Sequence, residues 1–177
     1  MTEHPPEHLA ETGQPVRTVL ERIRRLLDEA GIERKEVQHQ PTLTSADSAR
    51  ERGEELRMGG KALLMKCQRE FCLFVLPADC RADSSAIRQH LGVGRLRFAT
   101  SDELRDLTGL VPGSVPPFGR PILPFNLYVD SSLRENPRIA FNAGSLTDSI
   151  ILSMEDYLAI ARPVELFPFA SPRDDPS

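Results

Sequence analysis

From Val16 onward, Val19, Leu20, Ile23, Leu26, Leu27 and Ala30 recur at spacings of three and four, which lines one face of a helix, and Gly31 suits its C-terminal cap. The opposite face carries Arg17, Arg22, Arg24 and Arg25, read either as a solvated face or as a strip that contacts phosphates. Val37 to His39 reads as a short strand, and Thr44, three residues ahead of Asp47, predicts a capping box and a helix to about Arg57. The pattern then changes: two apolar runs, Lys61–Cys67 and Phe71–Leu76, are broken only by Gln68, Arg69 and Glu70, which predicts a hairpin. Asp83 or Ser84 caps a helix ending at Leu91 and Gly92, Arg95 to Ala99 reads as a strand, and Ser101 caps a helix through Leu107. Tyr128–Asp130, Ile139–Asn142 and Ser149–Leu152 read as strands, and Ser153 with Asp156 starts a helix to Ala161, stopped by Pro163. Helices and strands mix without strict alternation, so the fold class is α+β.

Composition sets the frame for this pattern. At 177 residues, 40% hydrophobic and 27% charged, the chain suits one compact domain with a real core. Residues 1–14 and 168–177 lack a periodic apolar pattern and are expected to be mobile tails around a domain spanning 15–167. Lys plus Arg number 22 against 26 Asp plus Glu, a formal charge of -4, so no whole-molecule field attracts polyanions and DNA is not an expected partner. Any contact with nucleic acid must come from a local basic patch. Three cysteines without Cys-x-x-Cys spacing suit a reducing compartment, with Cys67, Cys72 and Cys80 as core thiols. Phe71–Leu76 is too short to cross a membrane, and Glu3, His4, Pro5 and Pro6 do not resemble a secretory leader; a cytoplasmic protein without a membrane partner is the expectation.

Several chemistries are absent from the sequence. There is no Gly-x-x-x-x-Gly-Lys-Ser/Thr loop, Gly-x-Ser-x-Gly elbow or His-Glu-x-x-His pair. His4 and His8 have metal-like spacing but lie in the polar N-terminal segment, and the other histidines are only His39 and His90. Neither a metal nor a cofactor is expected. The unusual segment is Gly109 to Gly119, where Pro112, Pro116 and Pro117 stiffen a loop that also contains Gly113. Such a loop either simply connects helix to strand or presents amides to a carbonyl oxygen on which negative charge develops. Lys61, after Gly59 and Gly60 at the head of an apolar strand, reads as a solvated edge charge or as a cation at the mouth of a pocket lined by Leu63 and Met65, suited to a phosphate or ribose oxygen. Asn142 to Asp148 could close a small polar pocket or form a turn.

These segments together resemble the YbaK/prolyl-tRNA-synthetase-associated family of aminoacyl-tRNA deacylases. The resemblance spans about Val16 to Arg162 and is carried by His39 to Thr44, Lys61 to Lys66, Val111 to Gly119, and Asn142 to Ser145 with Asp148 to Ile150. It implies a single domain with a mixed, barrel-like sheet flanked by helices, and a freestanding hydrolase that cleaves the ester between a small mischarged amino acid and tRNA. The alternative is a non-catalytic module of the same fold that binds aminoacyl-tRNA or a synthetase. The implied partners are aminoacyl-tRNA and, in addition, an aminoacyl-tRNA synthetase. The resemblance places the functional lysine at Lys61 rather than Lys66. Backbone amides near Gly113 and Gly144 would bind the carbonyl oxygen, and Asp148 would accept from the substrate ammonium or attacking water. Ser114, Pro117, His39, Thr44 and Ser145 complete the implied substrate site. Phe141, where cysteinyl-type members tend to have a small polar residue, is a departure from that pattern.

Overall fold

The computed structural model describes residues 17–173. The N-terminal segment 1–14, with His4 and His8, lies outside them. Helix α1 (Val19–Glu29) is followed by strand β1 (Lys35–Gln38), helix α2 (Ser45–Arg52) and a short 3-10 turn at Leu56–Met58. Next come β2 (Gly60–Cys67), β3 (Glu70–Pro77), β4 (Cys80–Ala82), α3 (Ser84–Leu91), β5 (Leu96–Phe98) and α4 (Ser101–Thr108). The chain ends with β6 (Asn126–Asp130), a 3-10 turn at Ser131–Glu135, β7 (Arg138–Asn142), β8 (Asp148–Ser153), α5 (Met154–Ala161), β9 (Glu165–Phe167) and β10 (Ala170–Pro172).

The largest sheet has the order β5-β2-β3-β6-β9 and is mixed: β2 pairs antiparallel with β3 and β5, whereas β6 runs parallel to β3 and β9. A three-stranded antiparallel sheet has the order β1-β8-β7, and β10 pairs with β4. A single parallel bridge, Gly59 to Ala140, joins the head of β2 to β7. The mixed α+β domain therefore matches expectation, and among the described residues the sheets meet at this corner without closing into a barrel.

The unbroken apolar run of β3 has a direct cause. Leu73 and Val75 enter the main core with Ile23, Leu27, Phe118, Ile150 and Tyr157, while Cys72, Phe74 and Leu76 enter a second core with Met65, Ile87, Phe167 and Phe169. A strand covered on both faces needs apolar residues at successive positions, not at alternate ones. Met65, expected at the pocket, is fully buried in the second core.

Four local expectations need correction. Helix α2 stops at Arg52, not near Arg57, because Gly53 adopts φ +69° and terminates it. Thr100, not Ser101, caps α4. At Thr44 and Ser153 only half of each capping box forms: each hydroxyl accepts from the amide three residues on, whereas Asp47 turns to Arg50. The reciprocal boxes occur at Thr18–Glu21 and Thr100–Glu103, where glutamate's extra methylene lets the carboxylate reach back to the cap amide.

The largest correction is at the C-terminus. The domain does not end at residue 167, for Phe169 is 1% exposed and packs edge-on against Phe74 with centroids 5.6 Å apart. Asp130, itself buried, accepts from the amides of Phe169 and Ala170 at 2.7 and 2.8 Å, and β10 pairs with β4. One ring and one buried carboxylate hold a segment that has no apolar periodicity of its own.

Candidate active site

A cavity of about 210 Å³ opens where α2, the head of β2 and the Gly113 loop meet. Lys61, Gly113 and Thr44, three of the expected site residues, line it together. The Lys61 side chain is half-buried, and its ammonium donates to the carbonyl oxygen of Cys80 at 2.6 Å. An ammonium has three donors, so two remain for a ligand. Burial, followed by the positive charge of Arg173, pulls its pKa below the ordinary 10.5. Lys66 lies toward the far end of the strand, over the Phe71 ring at 5.5 Å.

Behind Lys61 stands a residue that sequence reading missed. Arg52 lines the cavity and is 7% exposed. Its Nε donates to Ser149 Oγ at 2.9 Å, its Nη2 to Asn142 Oδ1 at 2.9 Å and its Nη1 to the Ala140 carbonyl at 3.5 Å. Burial pushes its pKa down to about 10, so it remains a cation at neutral pH. Glu54, the acid acting on it, is already paired with Arg138. The cation is thus met at hydrogen-bonding distance by neutral oxygens. In the sequence Arg52 is one of two arginines on a short polar helix; its burial follows only when α2 docks against β7 and β8.

The network continues into the loop. Asn142 Nδ2 donates to the Gly113 carbonyl at 2.7 Å, so Arg52 and Gly113 are linked through one side chain. Gly113 has φ +85°, a left-handed conformation that a side chain would strain. On the other side, His39 Nε2 lies 2.8 Å from Ser149 Oγ, and Nδ1 lies 2.8 Å from the Gln40 carbonyl, which can only accept and so puts a proton on Nδ1. His39 therefore stands behind Ser149 and not on the cavity wall. Thr42 and Ser48 add buried hydroxyls to that wall, 2.6 Å from one another.

The other expected residues are not brought to the cavity. Asp148 accepts from Ser145 Oγ at 2.7 Å and Thr147 Oγ1 at 3.1 Å, which closes the β7–β8 turn and occupies both Asp148 and Ser145. The Gly144 amide donates to the Ser114 carbonyl at 3.0 Å, and a Cβ at Gly144 would stand 2.9 Å from Val19, so this glycine lets α1 approach the turn. Ser114 is buried and bonds within its own turn to Val111. Pro117 accepts from the buried Tyr157 hydroxyl at 2.6 Å. Conformational spacing along the chain cannot tell a turn that faces a cavity from one that faces the core.

Cations and the N-terminal end of α2 thus meet at a cavity with no carboxylate among its lining residues. Such a wall stabilises negative charge and holds oxygen ligands; it does not supply a carboxylate base. Comparison with known proteins gives this arrangement its setting. The model of the aminoacyl-tRNA editing domain matches residues 39–160. The chain belongs to the aminoacyl-tRNA editing family. The Escherichia coli (strain K12) multifunctional Ser/Thr-tRNA deacylase ProXp-y is 38% identical over 149 residues, which cover 81% of this chain and 88% of that protein. A crystal structure of a candidate trans-editing enzyme for prolyl-tRNA synthetase superposes with a TM-score of 0.75 at 25% identity, over 88% of this chain and 99% of that one. The crystal structure of hypothetical protein APE2540 shares the fold, with a TM-score of 0.75 at 22% identity over 84% and 99% of the two chains.

The resemblance read from the motifs is therefore correct, and the editing domain is a hydrolase of the aminoacyl ester of tRNA. Among the described residues no helix is long and apolar enough to cross a membrane.

Proposed function

We propose that the chain acts in trans, in the cytoplasm, on tRNA that carries a wrongly attached small hydroxy amino acid, with serine and threonine as its substrates. The observation that carries this reading is the composition of the cavity wall: Thr42, Ser48, Arg52 and Asn142 offer hydroxyl, guanidinium and amide groups to an aminoacyl side chain. A wall built to hydrogen-bond a hydroxyl discriminates against the analogue that lacks it far better than an apolar wall measures size. The relative whose name specifies Ser/Thr-tRNA deacylation supports the same assignment.

The roles follow from the charges. Lys61, with Arg173 close enough to depress its pKa, takes the phosphate or ribose oxygen of the terminal adenosine. The Gly113 loop, clamped by Asn142, presents its backbone to the ester carbonyl as negative charge develops. The ester is already activated, so water or a substrate group attacks without an enzymic nucleophile, and position with charge stabilisation supplies the rate. Asp148 and Ser145 keep the turn behind the site in shape, His39 buttresses Ser149, and Thr44 caps the helix that carries Arg52.

The test is deacylation of a panel of tRNAs charged with serine, threonine, alanine or tyrosine. Seryl and threonyl esters should be cleaved fastest, alanyl more slowly and tyrosyl at the uncatalysed rate. Equal rates on alanyl- and tyrosyl-tRNA would refute the assignment, and binding of seryl-tRNA without turnover would make the chain a non-catalytic module.

A further inference from the structure

A second cavity, of about 180 Å³, adjoins the first and shares Ala62, Leu63, Gly113 and Val115 with it. Beyond the shared wall it is bounded by Phe98, Leu104 and Pro112, with Thr100 and Ser101 at its polar side. Phe98 stands on β5, the edge strand of the large sheet, and is 55% exposed. A phenyl ring left half in water beside a ligand cavity is an apolar surface awaiting cover. No charged residue among those described lines it, and Arg97, the neighbour of Phe98 on β5, is held by both oxygens of Glu103 at 2.7 and 3.0 Å. The subsite is thus suited to an uncharged, flat group and not to a phosphate.

What that group is follows from covalent connectivity. An aminoacyl ester in the first cavity is joined through a ribose to one nucleobase, so this base must lie within a sugar's length of the ester. The shared wall puts the second cavity at that position. We propose that the second cavity is the subsite for the adenine base of the terminal nucleotide, stacked on Phe98. Stacking uses the π-face of the base, and a ring on an edge strand can meet it without moving the core. Thr100 Oγ1 accepts from the Glu103 amide at 3.1 Å, which leaves its own proton to donate to a ring nitrogen of adenine. Adenine is the largest planar group that the substrate brings near the ester, and binding it there fixes the ester over the Gly113 loop.

This assignment rests on the deacylase reading, and the experiment separates the two. The substrate is an RNA minihelix ending in CCA, charged with the amino acid that the panel shows to be cleaved fastest, and KM and kcat are measured for the unmodified protein, Phe98→Ala, Phe98→Leu and Phe98→Tyr. Phe98→Ala should raise KM about tenfold or more with kcat within about threefold, the scale of one lost stacking contact. Phe98→Leu should remain impaired and Phe98→Tyr should restore KM, since only the latter retains a ring face. Adenosine monophosphate should inhibit the unmodified protein competitively, whereas ribose 5-phosphate should inhibit far less. A KM for Phe98→Ala within twofold of the parent, or equal inhibition by the two phosphates, overturns the adenine subsite and leaves the deacylase reading intact. Failure of the unmodified protein to cleave any charged RNA overturns both.

Discussion

The Lys61 ammonium donates to the carbonyl oxygen of Cys80 at 2.6 Å, across the start of two strands that are 19 residues apart in sequence. The bond positions the cation, and it depends on the C-terminus: β10 pairs with β4, with Pro172 opposite Cys80, so Arg173 emerges beside the lysine that it acts upon. The charge at the cavity is therefore assembled by three separate parts of the chain.

Removing this charge should be costly for catalysis and cheap for folding. Lys61→Ala should lower deacylation about 10²-fold or more, the usual scale for one preorganised electrostatic contact. Lys66→Ala, at the far end of the same strand, should be mild. Steady-state rates of both variants, with circular dichroism to confirm folding, decide the matter; a larger loss at Lys66 would contradict the assignment.

The depressed pKa of Lys61 gives the activity an alkaline limit. With rates corrected for uncatalysed hydrolysis, kcat/KM should fall as pH rises through a value below the ordinary 10.5, because the ammonium loses its proton there. Lys61→Arg should move the limit upward. Stability runs the other way: between the folded and unfolded pKa values the unfolded chain binds the extra proton, so the folded state gains as pH rises through that window. A pH profile unchanged in Lys61→Arg would show that another group sets the limit.

Arg52 should behave as a structural cation with a catalytic consequence. Arg52→Lys retains charge but cannot span Ser149, Asn142 and Ala140 together, and each lost charged hydrogen bond costs about 1.5–3 kcal/mol. Urea unfolding should show the loss, and KM should rise because Asn142 no longer clamps the Gly113 carbonyl. A variant as stable as the parent would mean that the network contributes nothing.

The sequence by itself determined the class of fold, the hairpin of β2 and β3, helices α1, α3, α4 and α5 within a few residues of their ends, and the family. These rest on local physics: apolar period, capping hydroxyls, glycine and proline at chain turns, and motifs whose order survives in one dimension. It also placed Lys61 at the head of its strand, because glycines before an apolar run mark a strand end. Tertiary structure alone decided that Arg52 is buried at the cavity, that Asp148, Ser145 and Gly144 close a turn, and that Phe169 belongs to the core. Each of these depends on partners far along the chain: Arg52 on Ser149 and Asn142, Phe169 on Phe74 and Asp130. A polar residue or a lone aromatic carries no periodic signal of which side it will face, since that side is set by whichever element packs against it and by the need to satisfy every buried hydrogen-bonding group.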